Sequence, residues 1–64
     1  MREHKFTFRV EMLHGQDQRV VEADSFSCLD SWMVFYRDKL QGGKVEYWRV
    51  KMDCVVAMET KANP

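Results

Sequence analysis

The stretch Ser31-Trp32-Met33-Val34-Phe35-Tyr36-Arg37 decides the fold, because it reads in two ways that give different architectures. From Trp32 to Tyr36 five large apolar residues follow one another, three of them aromatic and one β-branched, which is strand chemistry. Read as a helix, residues 25–41 place Phe26, Leu29, Met33, Tyr36 and Leu40 on one stripe, with Gly42-Gly43 as a cap, and the chain becomes ββαββ. A helix would then carry apolar groups all round at 32–36, and its aromatic and β-branched residues are poorer helix formers than strand formers. The strand is the expectation. Asp30-Ser31 before it and the loop from Asp38 to Lys44, which holds Gly42-Gly43, bound it as turns do.

Working outward, Phe6, Phe8, Val10 and Met12 alternate with Thr7, Arg9 and Glu11, the period of a half-buried antiparallel strand. His14-Gly15-Gln16-Asp17-Gln18 is a polar break with a glycine free to take positive φ, and Arg19-Val20-Val21-Glu22-Ala23 completes a hairpin. Asp24-Ser25 turns the chain, and Phe26 tucks back under that hairpin. Lys44-Val45-Glu46-Tyr47-Trp48-Arg49-Val50-Lys51 pairs most simply with the central strand. Met52-Asp53 is a corner, residues 54–59 form the last strand, and residues 61–64 are a polar tail expected to fray.

The chain has 64 residues, one domain near the lower limit for folding on a core alone. Four Phe, two Trp and two Tyr suit it to a small core, since each ring buries roughly 150–250 Å². Ten basic and ten acidic residues cancel, so no whole-molecule field draws it to nucleic acid or to an acidic membrane. The charged start Met1-Arg2-Glu3-His4-Lys5 runs straight into strand alternation, which argues against a signal peptide or a membrane span and for a cytoplasmic protein. Cys28 and Cys54 fit neither a disulfide framework nor a zinc ribbon and read as free, chemically incidental thiols.

The pattern Val21-Glu22-Ala23-Asp24-Ser25-Phe26, then Trp32-Met33-Val34-Phe35-Tyr36-Arg37, then Val55-Val56-Ala57-Met58-Glu59 resembles that of short hypothetical β proteins of bacteria and their phages. The resemblance implies a small bent sheet or barrel of unassigned function, with no catalytic motif to carry over. Five short antiparallel strands around one core also match a partly open barrel of SH3-like or Sm-like architecture. Taking one face of each strand, the expected core is Phe8, Val10, Val21, Phe26, Met33, Phe35, Trp48, Val50, Val56 and Met58.

Chemistry has little to work with. His4, His14, Cys28 and Cys54 show no ligand spacing, so neither a metal nor another cofactor is expected. Asp24, Asp30, Asp38 and Asp53 sit at turns, where Asp bonds nearby amides. Gly42-Gly43-Lys44 lacks the earlier Gly and the following Ser or Thr of a phosphate loop. A domain this small also has little room for a ligand pocket of roughly 300 Å³, and no enzyme is expected.

One feature points to function. If Met33, Phe35, Trp48 and Val50 face inward, then Trp32, Val34, Tyr36, Val45 and Tyr47 face outward by the strand period of two. A patch of this composition reads as a partner-binding face, for another protein or for a second copy in a homo-oligomer; the equal alternative is that the chain's own termini or the long loop cover it, or that a flattened barrel buries both faces. The alternative is a nucleic-acid-binding barrel in which Arg9, Arg37, Arg49 and Lys51 follow phosphates while rings stack on bases.

Overall fold

The structure is a computed structural model, and it describes residues 4–13 and 18–64. The glycine turn read at 14–18 therefore lies, except for Gln18, outside the described residues, as do His14 and residues 1–3. The described chain is all-β: β1 (Phe6–Met12), β2 (Gln18–Ala23), β3 (Ser25–Leu29), β4 (Trp32–Asp38), β5 (Lys44–Lys51) and β6 (Val55–Ala62), with a 3-10 turn at Met52–Cys54. Two three-stranded antiparallel sheets result, ordered β2-β1-β6 and β3-β4-β5. Cα extents of 36 × 26 × 14 Å make a flat molecule, as expected for two sheets stacked about 10 Å apart.

The deciding stretch is the middle strand of the second sheet, paired with β3 on one side and with β5 on the other. The helical alternative for residues 25–41 is overturned, because β4 needs apolar residues on both faces and its sequence supplies them. Met33 and Phe35 face the first sheet, while Trp32, Val34 and Tyr36 face away. Leu40 of the helical stripe is fully exposed in the loop. Gly42 and Gly43 take φ of 92° and 83°, which only glycine adopts freely, and the amide of Lys39 bonds the Gly43 carbonyl at 3.0 Å.

Six strands form where five are expected. The additional one is β3, in a segment whose Asp24-Ser25 and scattered serines read as a turn. Asp24 does bend the chain, but the backbone keeps pairing through it: its amide donates to the Tyr36 carbonyl at 2.9 Å. β2 and β3 thus act as one strand that leaves the first sheet and enters the second. Asp30-Ser31 closes the β3–β4 hairpin in two residues, with Asp30 at φ 57°, a left-handed conformation that Asp tolerates better than most side chains.

The core between the sheets is Phe8, Val10, Val21, Ala23, Phe35 and Val50, with Met33, Trp48 and Met58 half-buried against it. Phe8 and Phe35 meet edge to face at 5.0 Å, and Phe35 stacks on Trp48 at 5.6 Å. Two expected core residues are corrected. Phe26 touches Phe8 at 5.4 Å but is 41% exposed, because β3 is an edge strand. Val56 is 61% exposed, because a bulge pairs Glu11 with Ala57 and Met12 with Val55, leaving Val56 as the extra residue and turning Val55 onto the core.

The end of the chain is also corrected. β6 runs to Ala62, and Asn63 donates its amide to Lys5 O, donates Nδ2 to His4 O and accepts from Thr7 Oγ1 at 2.6 Å. Residues 61–64, read as a frayed tail, are thus tied to the start of β1 as far as Asn63.

A second fastening sits at the corner. Asp24 is nearly buried; its carboxylate accepts from the amides of Lys5 at 2.9 Å and Asp38 at 2.7 Å, and it bonds His4 Nδ1 at 3.1 Å. Burial works to raise the Asp24 carboxyl, but the Asp38 and Lys5 amides and then His4 outweigh it and hold the carboxyl below its ordinary value. One side chain so joins the start of β1, the β2–β3 corner and the end of β4.

Candidate functional site

The outer face of the second sheet is built by β4 and its two neighbours. Cross-strand partners share a face in an antiparallel sheet, so Trp32 lies beside Lys51, Val34 beside Ser27 and Arg49, and Tyr36 beside Ser25 and Glu46. Val34, expected to be exposed, is only 1% exposed. It sits at the centre of the middle strand, flanked along the strand by two large rings and across it by Arg49, and these neighbours close over it.

The rings themselves are overlaid by cations. Arg49 lies 5.3 Å and Lys51 5.6 Å from the Trp32 ring, and Lys44 lies 5.8 Å from Tyr36. The Tyr36 hydroxyl also receives Ser27 Oγ at 3.4 Å. Arg49 grips Glu46 with Nε at 2.9 Å and with Nη2. That hydrogen bond holds the Glu46 carboxyl below its ordinary range, and Glu46 in turn raises the Arg49 guanidinium. Trp32 and Tyr36 are half-buried as a result.

The other two residues of the expected patch lie elsewhere. A second bulge pairs Phe35 with Trp48 but Tyr36 with Glu46, so Tyr47 is the extra residue and the alternation of β5 reverses there. Val45 pairs with Arg37, and the Arg37 guanidinium stacks 3.4 Å from the Tyr47 ring while its Nε donates to the Glu22 carbonyl at 2.9 Å. Val45 and Tyr47 therefore belong to the side facing the first sheet, at its rim, where both are exposed as expected, at 47% and 45%. The five residues divide into Trp32-Val34-Tyr36 on one side and Val45-Tyr47 on the other.

The nucleic-acid set is dispersed more widely. Arg9 stands on the outer face of the first sheet between Val20 and Glu59, Arg37 bridges the sheets, and Arg49 is engaged by Glu46. Lys51 is its one member on the second sheet's outer face that no carboxylate engages among the described residues.

Open clefts are present among the described residues, against the expectation that so small a domain has little room for one. A cleft of about 340 Å³ is lined by Met12, Gln18, Arg19 and Trp48, with the Arg19 guanidinium 5.2 Å from the Trp48 ring. Another, of about 300 Å³, is lined by Phe6, Phe8, Asp24, Ser25, Phe26 and Thr60. Among the described residues no three His, Cys, Asp or Glu side chains are grouped to hold a metal, and Cys28 and Cys54 are both free. Among the described residues no helix is long and apolar enough to cross a membrane. Comparison of the chain with protein-family models, with curated proteins and with solved structures finds no match.

Proposed function

We propose that the protein is a non-enzymatic binding domain of the cytoplasm, of SH3-like barrel type, that recognises another protein through the outer face of β4 and β5. The barrel type is supported by the strand order, in which one strand bent at Asp24 serves both sheets and the last strand returns to pair with the first. It agrees with the resemblance to small β proteins of bacteria and phages.

The observation that carries the reading is the paired rings Trp32 and Tyr36, half-buried beneath Arg49, Lys51 and Lys44 on an otherwise flat three-stranded face. Tyr, Trp and Arg are enriched at protein interfaces, and the two aromatic types offer a large amphipathic contact area at small entropic cost. Engagement of Arg49 by Glu46 leaves Lys44 and Lys51 as the other cations over the rings, short of the continuous basic groove that tracks a phosphate backbone.

Selection from a displayed library of random peptides tests this. Binders selected on the wild-type chain are expected to be lost on a Trp32→Ala/Tyr36→Ser variant that retains the wild-type circular dichroism. A single-stranded oligonucleotide is the counter-probe: tight binding that weakens steeply with added salt would overturn the protein reading, because counterion release gives that slope.

A further inference from the structure

We infer that the free edge of β3 pairs with the same edge of a second copy of this chain, joining two three-stranded sheets into one of six strands. The inference is independent of the proposed binding face, since it uses a different surface.

The two sheets present four edge strands, and three of them carry the features by which sheets discourage further pairing. β2 bears Arg19 and Glu22. β5 bears Lys44, Glu46, Arg49 and Lys51 and is bulged at Tyr47. β6 bears Glu59 and Lys61 and is bulged at Val56. β3 has neither feature: Ser25-Phe26-Ser27-Cys28-Leu29 holds no charge and pairs with β4 in unbroken register over all five residues. It packs chiefly on β4, and Phe26, Cys28 and Leu29 are exposed along it. The cleft of about 300 Å³ floored by Phe6, Phe8 and Phe26 opens beside it. The least protected edge therefore adjoins exposed aromatic surface.

Self-complementarity selects the occupant. Antiparallel pairing about Ser27 sets Ser27 against Ser27 and Phe26 against Cys28 of the partner subunit, so no like charges meet within residues 25–29; Asp30 comes opposite Asp24 of the partner subunit, a residue whose carboxylate is turned inward onto the Lys5 and Asp38 amides. The net charge of zero imposes no repulsion between copies. A two-fold contact of this kind is closed, so association stops at the dimer rather than continuing into a fibre. Each copy then covers the exposed Phe26 of the other.

The experiment is sedimentation equilibrium with reductant present, from about 10 μM to about 1 mM, a span that brackets weak protein pairs. Wild type is compared with Cys28→Lys and Cys28→Ser, at a residue whose exposure lets either side chain be accommodated. Wild type and C28S are expected to dimerise as concentration rises, and C28K to remain monomeric with unchanged circular dichroism. Hydrogen exchange in the dimer is expected to slow at least tenfold at alternate amides of residues 25–29. Should C28K fail to fold, L29K, at a position 52% exposed, replaces it with the same expectation. A wild-type monomer throughout the range, a dimer that survives the lysine, or protection on the Trp32–Tyr36 face instead of β3 would overturn the inference. The first two outcomes leave the peptide-binding test of the sheet face unaffected, whereas the third would show that face self-associating.

Discussion

On the outer side of the first sheet, Thr7, Arg9 and Glu11 stand among Val20, Glu22, Glu59 and Lys61, a mixed-charge face of small and polar groups that water covers directly. On the outer side of the second sheet, Val34 is buried, lying between Trp32 and Tyr36 along β4 and beside Arg49 across it, and the two rings lie under cations. The same backbone geometry thus gives one face finished by solvent and one finished by the protein's own long side chains. The difference shows that an apolar row on a strand is not by itself an exposed patch. Arg and Lys stems can lie across rings and keep their charged ends in water, and a small residue between two large ones becomes buried without a second layer above it.

The core shared by the two sheets sets the upper scale for testing that contrast. Phe35→Ala, at the junction of Phe8, Phe26 and Trp48, is expected to cost about 3–5 kcal/mol, read from urea denaturation; a loss below 1 kcal/mol would mean that the sheets are not stacked on this ring. Next comes the fastening that unites them. Asp24→Ala leaves the amides of Lys5 and Asp38 without their partner and is expected to cost about 2–3 kcal/mol.

The Asp24 carboxyl is depressed in the folded chain, so its contribution is complete above the unfolded value of about 3.9 and is lost as pH falls through the lower folded value. The urea midpoint should therefore drop more between pH 5 and pH 2 in the wild type than in Asp24→Asn. Equal slopes in the two proteins would remove the carboxylate from the account.

The contrast itself is probed by two valines. Val34→Ala, on the capped face, is expected to cost about 2 kcal/mol from lost burial and a residual void. Val20→Ala, at 56% exposure on the solvated face, should stay within about 0.5 kcal/mol. Similar costs at both positions would erase the distinction drawn between the faces. The smallest effect belongs to Glu46→Gln, which frees Arg49 and should lower the urea midpoint only slightly, with the difference shrinking as salt is added.

How much of this could be read in the residues depended on whether local chemistry and pairing agreed. The alternation of Phe6, Phe8, Val10 and Met12, the central position of residues 32–38 and the glycine loop at 42–43 were legible, because pattern and partner ask for the same thing there. The bulges at Tyr47 and Val56 were not. Each is set by how two strands meet, and each reverses the alternation from that point on, which is why Val45, Tyr47 and Val56 are assigned to the wrong side by a period of two.

β3 was hidden for another reason. Serine and aspartate favour turns locally, and only pairing with β4 makes Ser25-Phe26-Ser27 a strand. Nor does the sequence show that Asn63 fastens the chain end to β1, since that contact joins residues at opposite ends of the chain. Of the candidate face, the rings were visible, Arg49 and Lys51 were assigned to the nucleic-acid alternative, and Lys44 was read only as part of the glycine loop.

The central claim is that the second sheet's outer face, and not the first sheet's, is where the protein binds. The most direct test is heteronuclear NMR of the labelled protein titrated with a peptide selected on it. The account predicts shifts at the Trp32 indole N–H and at Tyr36, Arg49 and Lys51, with Arg9, Val20 and Glu59 unmoved; shifts confined to β1, β2 and β6 would contradict it.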